Sequence, residues 1–327
     1  MTEKPELLIV KNLSKDYPGV NGRSIRAVNN VSLSINHGEV LGVVGESGCG
    51  KSTLGRSILR LIEPTEGSIE YAGRDLRSLD RAQMKSVRAE MQIIFQDPFG
   101  SLNPRHRIGG ILAEPLKVHG FGNRSVRRAR VLEMLELVGM PVESATRYPH
   151  EFSGGQRQRI AIARALMLNP KFLIADEAVS ALDVSIQSQI INLLSRLQRQ
   201  LGITLLFISH DLSVIRHVSD RVAVMYLGRI VETGTIDEVL DSPQHPYTQA
   251  LVSAVPHPGK QREQRIILQG ELPDPANPPN GCHFNTRCPG MNASVQEQCF
   301  GHLPELVARK TQTRNARFLA CHLYSSV

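Results

Sequence analysis

Tryptophan is absent from the chain, aromatic residues make up 5% of its 327 positions, and cysteine occurs five times. Long apolar runs are absent too. The longest are residues 7–10, 172–175, 205–208 and 222–227, whereas a spanning helix needs about 20 apolar residues. That excludes a helical membrane protein. The amino-terminal stretch starts acidic and holds four consecutive apolar residues, too few for the core of a secretory signal. The chain is therefore expected to stay in the cytoplasm and to meet a membrane only by docking on a partner. No aromatic RNA-binding signature or zinc-finger spacing occurs. The charge balance, 38 basic against 31 acidic residues or +7, is modest. It reads as a solvated surface with some cations kept for phosphate ligands, so nucleic acid is not an expected partner. What is present is an ordinary globular composition, 41% hydrophobic and 21% charged, enough to bury a core and exclude global disorder. At about 150 residues per domain, the length points to two domains, or one large domain with an appendix.

Residues 9–13 and 25–35 alternate apolar and polar and read as strands, broken by turns at Pro18-Gly19 and Asn21-Gly22. Residues 40–44 form an uninterrupted apolar run suited to a buried strand. A glycine-rich loop and a helix over 51–61 follow, then a turn at Pro64-Thr65-Glu66-Gly67 and strands over 68–71 and 91–95. From about 98 to 168 the pattern is helical and rich in arginine, with apolar Val131, Leu132, Leu135 and Val138 at helical spacing and a further helix over 157–168. A buried strand over 172–175, an amphipathic helix over 186–201 and a strand over 204–208 complete the series. Strand, helix, strand in this order predicts an α/β fold, a parallel sheet covered by helices with the 98–168 block inserted into it. After residue 242 turn formers accumulate, at Ser242-Pro243, His245-Pro246, 256–259 and 273–281, and four of the five cysteines fall here. The predicted division is a domain over 1–250 and an extension over 251–327.

Gly45-Glu46-Ser47-Gly48-Cys49-Gly50-Lys51-Ser52 fits G-x-x-x-x-G-K-[ST] without a mismatch, between a buried strand and a helix. Glycines let successive N–H groups turn inward around phosphate oxygens. The helix presents its positive end to the same anion. Lys51 places a charge on the β- and γ-phosphates, and the Ser52 hydroxyl is a Mg²⁺ ligand. A guanine-reading Asn-Lys-x-Asp is absent. Ser153-Gly154-Gly155-Gln156 opens a second glycine-rich helix start, with Ser153 as its cap.

Here the sequence resembles the ABC-type ATPases. Residues 153–156 look like the signature motif of that family, and the other motifs follow at matching positions. Residues 172–176 resemble Walker B, ending in Asp176 as a Mg²⁺ holder, and Glu177 matches the general base. Gln96 matches the Q-loop glutamine, a nucleotide and Mg²⁺ contact. Ser180-Ala181-Leu182-Asp183 resembles the D-loop, His210 the switch histidine, and Tyr17 the residue that stacks on adenine. Thr53 completes the expected ATP contacts beside Ser52. Two departures are Ala178, where the family carries proline, and Phe152, where leucine is commoner. The resemblance implies an antiparallel β subdomain beside the parallel sheet. It also implies ATP and Mg²⁺ as ligands, catalysis by Lys51, Glu177 and His210, and a head-to-tail pair of cassettes. In that pair Ser153, Gly154, Gly155 and Gln156 close on the partner's ATP.

His245-Pro246-Tyr247-Thr248-Gln249-Ala250-Leu251, Gly270-Glu271-Leu272-Pro273 and Arg287-Cys288 resemble the ATPase subunits of dipeptide and oligopeptide importers, as does the stretch from Phe95 to Pro104. That resemblance implies a second, homologous but non-identical ATPase, two transmembrane permease subunits docking near Pro98 and Pro104, and an extracytoplasmic solute-binding protein. It places the chain peripherally on the cytoplasmic face of the inner membrane. Glutathione or nickel-complex importers, and non-transport ABC ATPases of DNA repair or translation, are the alternatives. The latter usually carry coiled-coil insertions or two cassettes, which this chain lacks. Cys282, Cys288, Cys299 and Cys321 follow C-x5-C-x10-C-x21-C, neither a ferredoxin run nor the paired spacing of most zinc sites. Cytoplasmic disulfides are rare, and a turn-rich segment gains folding energy from a metal. With the resemblance added, the expectation is a structural 4Fe–4S cluster, with zinc or no metal as the alternatives.

Overall fold

The computed structural model describes residues 5–19, 23–255, 265–309 and 317–324. The turn expected at Asn21-Gly22, the 256–259 stretch and the side chains of residues 98 and 99 lie outside the described residues. The described strands are β1 (Glu6–Pro18), β2 (Ser24–Asn36), β3 (Val40–Val44), β4 (Glu66–Tyr71), β5 (Arg74–Asp75), β6 (Met91–Ile94), β7 (Phe172–Asp176), β8 (Thr204–Ser209), β9 (Arg221–Tyr226), β10 (Arg229–Thr235), β11 (Val307–Arg309) and β12 (Arg317–Leu319). The α-helices are α1 (Lys51–Ile58), α2 (Arg81–Glu90), α3 (Pro98–Ser101), α4 (Ile108–Val118), α5 (Arg124–Leu137), α6 (Gly154–Leu166), α7 (Val184–Leu201), α8 (Leu212–Val218), α9 (Pro246–Ser253) and α10 (Gln296–Gly301). They divide between two compact units.

One unit comprises Asn36–Glu39 and Ser78–Ile208. Its strands β6, β7 and β8 are parallel, with Met91 opposite Phe172 and Phe172 opposite Thr204. Every residue of β7 and β8 is buried, which is why both read as continuous apolar runs rather than alternating ones. Helix α7 buries Ile190, Ile191, Leu193, Leu194 and Leu197, one stripe at helical spacing. It starts where the Asp183 carboxylate accepts from the Ile186 N–H at 3.0 Å and stops at left-handed Gly202 (φ 64°). Helix α6 begins at Gly154, earlier than the 157 expected from its apolar pattern.

The other unit comprises Glu6–Ile35, Val40–Arg77 and Ser209–Val327. It holds an antiparallel sheet in the order β2-β1-β4-β5, with Leu8 opposite Tyr71. It also holds the strand series β11-β12-β10-β9-β3, in which β3 and β9 are parallel and the rest antiparallel. Helix α1 ends at Ile58, three residues before the expected 61, because Arg60 turns left-handed (φ 48°). The carboxy-terminal strand β12 pairs with β10, placing Glu232 opposite Leu319. Glu232 is wholly buried, and its carboxylate accepts from the N–H groups of Gln244 (3.0 Å) and His245 (3.1 Å) and from the guanidinium of Arg317. Arg317 donates a second bond to the Ser242 carbonyl at 2.7 Å. Two opposite charges survive burial here because each is hydrogen-bonded on several sides.

Candidate active site

Strand β3 delivers the phosphate loop and α1 leaves it. Gly48 (φ 79°) and Gly50 (φ 103°) occupy the left-handed region, where an L side chain is strained. A Cβ on Gly50 would sit 2.0 Å from the Ala27 carbonyl oxygen, and one on Gly45 would sit 2.1 Å from that of Met225. A Cβ on Gly48 would meet nothing within 4 Å, so that side of the loop is open. Gly50 caps α1 without a side-chain hydrogen bond, which leaves the helix's first amides directed at the loop. The Lys51 ammonium is buried and donates to the carbonyls of Gly45 (2.8 Å) and Glu46 (3.0 Å). Cys49 is buried beneath it, and burial pushes its thiol pKa up. An uncapped helix start, an open concave edge and one interior ammonium fit a polyphosphate with its Mg²⁺.

The same loop is held from behind. The Glu46 N–H donates to the Tyr247 hydroxyl at 2.9 Å, and the Glu46 carboxylate takes both arms of Arg287 at 2.9 and 3.2 Å. Tyr226, Tyr247 and Phe284 pack ring against ring at centroid distances of 4.7, 5.2 and 5.5 Å, joining β9, α9 and the loop before Arg287. Neither the spacing nor the composition marked this assembly. Its only trace in the sequence is the Tyr247 and Arg287 motif positions. Tyr17 also lies in this unit, half-buried with the Lys15 ammonium 5.1 Å from its ring centre. His210 is exposed, one residue after buried Ser209 at the end of β8.

In the first unit, Asp176 ends β7 with 1% exposure. Glu177 follows in the left-handed region (φ 48°), a conformation that costs a non-glycine residue about 1–3 kcal/mol. Its N–H donates to the Ile208 carbonyl at 3.0 Å, and its own carbonyl accepts from the Ser180 N–H and hydroxyl at 3.1 and 3.0 Å. These bonds hold the strained turn. The Gln96 side chain donates to the Glu177 carboxylate at 3.0 Å, so the structure brings together two of the residues predicted from separate motifs. Ala178 is buried. Ser153 caps α6 in a reciprocal box: its hydroxyl accepts from the Gln156 N–H at 3.4 Å, and its N–H donates to the Gln156 side chain at 3.0 Å. As an acceptor in that box, the hydroxyl keeps its own proton for an outward hydrogen bond. Gly155 is buried against Ile186. Asp183 is exposed, and its pKa is lowered by the bonds from the Ile186 N–H and the Ser185 hydroxyl.

The iron–sulfur expectation finds no support among the described residues. Cys282, Cys288, Cys299 and Cys321 share a neighbourhood, and the Cys282 N–H donates to the Cys299 carbonyl at 2.8 Å. Yet among the described residues no group of three or more His, Cys, Asp or Glu is arranged to hold a metal ion. Burial pushes the thiol of Cys282 up to about 11 and that of Cys321 to about 12.

Comparison with known proteins agrees with the motif order. A family described as "ABC transporter" matches residues 28–180, and one described as "Oligopeptide/dipeptide transporter, C-terminal region" matches residues 231–297. The chain is 51% identical to the oligopeptide transport ATP-binding protein AppF of Bacillus subtilis, covering 98% of each chain. It is 55% identical to the oligopeptide transport ATP-binding protein OppF of Salmonella typhimurium over 82% of this chain and 81% of that one. Among solved structures, it resembles the dimeric ATP-binding cassette MJ0796 in a post-hydrolysis state with ADP and phosphate. The TM-score is 0.64 and the identity 32%, covering 70% of this chain and 98% of that one. Among the described residues no helix is long and apolar enough to cross a membrane.

Proposed function

The chain belongs to the ABC transporter family, in its branch of oligopeptide transport ATP-binding proteins, and we propose that it hydrolyses ATP to drive import of dipeptides or oligopeptides. The observation that carries this reading is the phosphate loop, with no capping side chain at its helix start, its open edge at Gly48 and the Lys51 ammonium buried within it, donating to the carbonyls of Gly45 and Glu46. On this reading Lys51 exchanges those carbonyls for phosphate oxygens. Ser52, Asp176 and Gln96 would hold Mg²⁺, which would neutralise phosphate charge. Glu177 accepts a proton from the attacking water while Gln96, bonded to the same carboxylate, orients it. His210 contacts the γ-phosphate, and Tyr17 stacks on the adenine.

The 1–250 domain, with its 98–168 helical part, pairs with the cassette of a homologous ATPase. Ser153, Gly154, Gly155 and Gln156 then close on the nucleotide held by that partner. Two permease subunits anchor the pair to the cytoplasmic face of the inner membrane, and an extracytoplasmic binding protein supplies the peptide. The test is Glu177→Gln in the assembled transporter. ATP binding persists, while turnover and uptake of a labelled peptide fall by about 10²–10⁴-fold. Turnover within a few-fold of wild type removes Glu177 from this role.

A further inference from the structure

A carboxylate inside a polyanion-binding loop needs an explanation. Glu46 is the only acidic residue between Gly45 and Ser52, and a negative charge in that loop opposes the charge of the ligand the loop is proposed to bind. The structure supplies the compensation from elsewhere in the sequence. Arg287 meets Glu46 through both arms of its guanidinium, at 2.9 and 3.2 Å, across 241 residues of chain. The Arg287 side chain is 9% exposed and that of Glu46 is 28% exposed, so the pair is shielded from most of the solvent. Arg287 also reaches the Tyr226 hydroxyl at 3.5 Å. A second contact acts on the same residue independently: the Tyr247 hydroxyl accepts the Glu46 N–H. The Tyr226, Tyr247 and Phe284 rings, each no more than 1% exposed, fix the segment that carries Arg287.

We propose that Arg287 is a positioning residue for nucleotide binding. By neutralising and orienting Glu46, it lets the carboxy-terminal extension set the affinity of the phosphate loop for ATP. The inference rests on the ATP-binding reading of that loop. It also gives the extension a role in the nucleotide site beyond covering the end of the fold. The mechanism is electrostatic, so it has a signature that a purely structural strut lacks. Removing Arg287 leaves an uncompensated carboxylate, and removing Glu46 as well relieves it.

The experiment uses the full-length chain with Mg²⁺ and a fluorescent ATP analogue, alongside the unfolding midpoint without nucleotide. Arg287→Gln weakens binding roughly tenfold at low salt. The loss shrinks at about 0.5 M salt, because screening then acts over a few ångströms. The double variant Arg287→Gln/Glu46→Gln recovers to within about threefold of wild type, and Arg287→Lys, which keeps the charge without the fork, stays within about the same range. If Arg287→Gln fails to fold, the double variant and Arg287→Lys carry the test. Wild-type affinity in Arg287→Gln overturns the proposal, as does a double variant that binds as weakly as Arg287→Gln. A salt-independent loss overturns it as well. A wild-type chain that takes up no ATP analogue defeats the underlying reading of the loop instead, and is distinguishable because every variant then matches it.

Discussion

Two helices in this chain open on glycine-rich segments, and they open in opposite ways. Helix α1 is capped by left-handed Gly50, which offers no side-chain hydrogen bond, with an ammonium one residue on. Helix α6 is capped by extended Ser153, whose hydroxyl accepts the Gln156 N–H in a reciprocal Ser153–Gln156 box. The first start has no capping side chain, whereas the second carries its own. Glycine content therefore does not separate a phosphate cradle from a surface that only touches phosphate. The cap does. On the proposed reading, the first start binds nucleotide by itself, and the second contributes when another chain brings nucleotide to it.

The sharpest way to break this comparison is Lys51→Ala. Lys51 is the ammonium inside the cradle, so its loss weakens ATP binding in the isolated chain. It also lowers turnover in the assembled transporter by on the order of 10²–10³-fold, the scale for losing one preorganised group that meets developing charge. Titration calorimetry checks the first effect and steady-state ATPase assays the second. An unchanged affinity would show that the α1 start does not hold the phosphates.

Ser153→Ala probes the other start and has a smaller effect. Losing the cap costs about 1 kcal/mol, read as a small drop in unfolding midpoint. ATP affinity of the isolated chain stays at the wild-type value, because Ser153 is outside the phosphate loop. Turnover in the assembled transporter falls about tenfold, the worth of one hydrogen bond to a charged group. A loss of affinity in the isolated chain would contradict the division of labour between the two starts.

How much of this was legible in the sequence depends on the distance over which the determining contacts act. The phosphate loop was legible because its backbone demands glycine at Gly48 and Gly50 and a cation at Lys51, all within eight positions. Strands β3, β7 and β8 were legible because burial on both faces leaves unbroken apolar runs. Helix α2 went unread although Asp80 and Gln83 form a capping box, since it buries only Met84 and Val87 and so shows little apolar period. The apolar pattern alone placed the start of α6 at 157, because its first residues carry no apolar signal, whereas the capping serine at Ser153 marked the observed start. The Glu46–Arg287 pair spans 241 residues, and no local pattern can encode such a meeting. The four cysteines show the same limit from the other side: their spacing located a neighbourhood but carried no information on whether the thiols converge on a metal.

The smallest expected effect separates the two starts by sign. Gly50 cannot become alanine without a collision with the Ala27 carbonyl and a strained backbone. Gly154 has no such constraint. It lacks a positive φ, and a Cβ there would meet only the Leu182 side chain, at 3.5 Å, an ordinary contact distance. By intrinsic propensity, alanine in place of glycine in a helix gains about 0.5–1 kcal/mol, less at a first turn. Gly154→Ala therefore raises the unfolding midpoint of the isolated chain slightly and leaves its ATP affinity unchanged. Turnover of the assembled transporter nevertheless falls, since a methyl group at the head of α6 holds the backbone of Gly154 and Gly155 off the partner's nucleotide. Higher stability with lower turnover is the expected pair of results. Higher stability with undiminished turnover would mean that the glycine serves the fold alone, and that the α6 start does not approach phosphate.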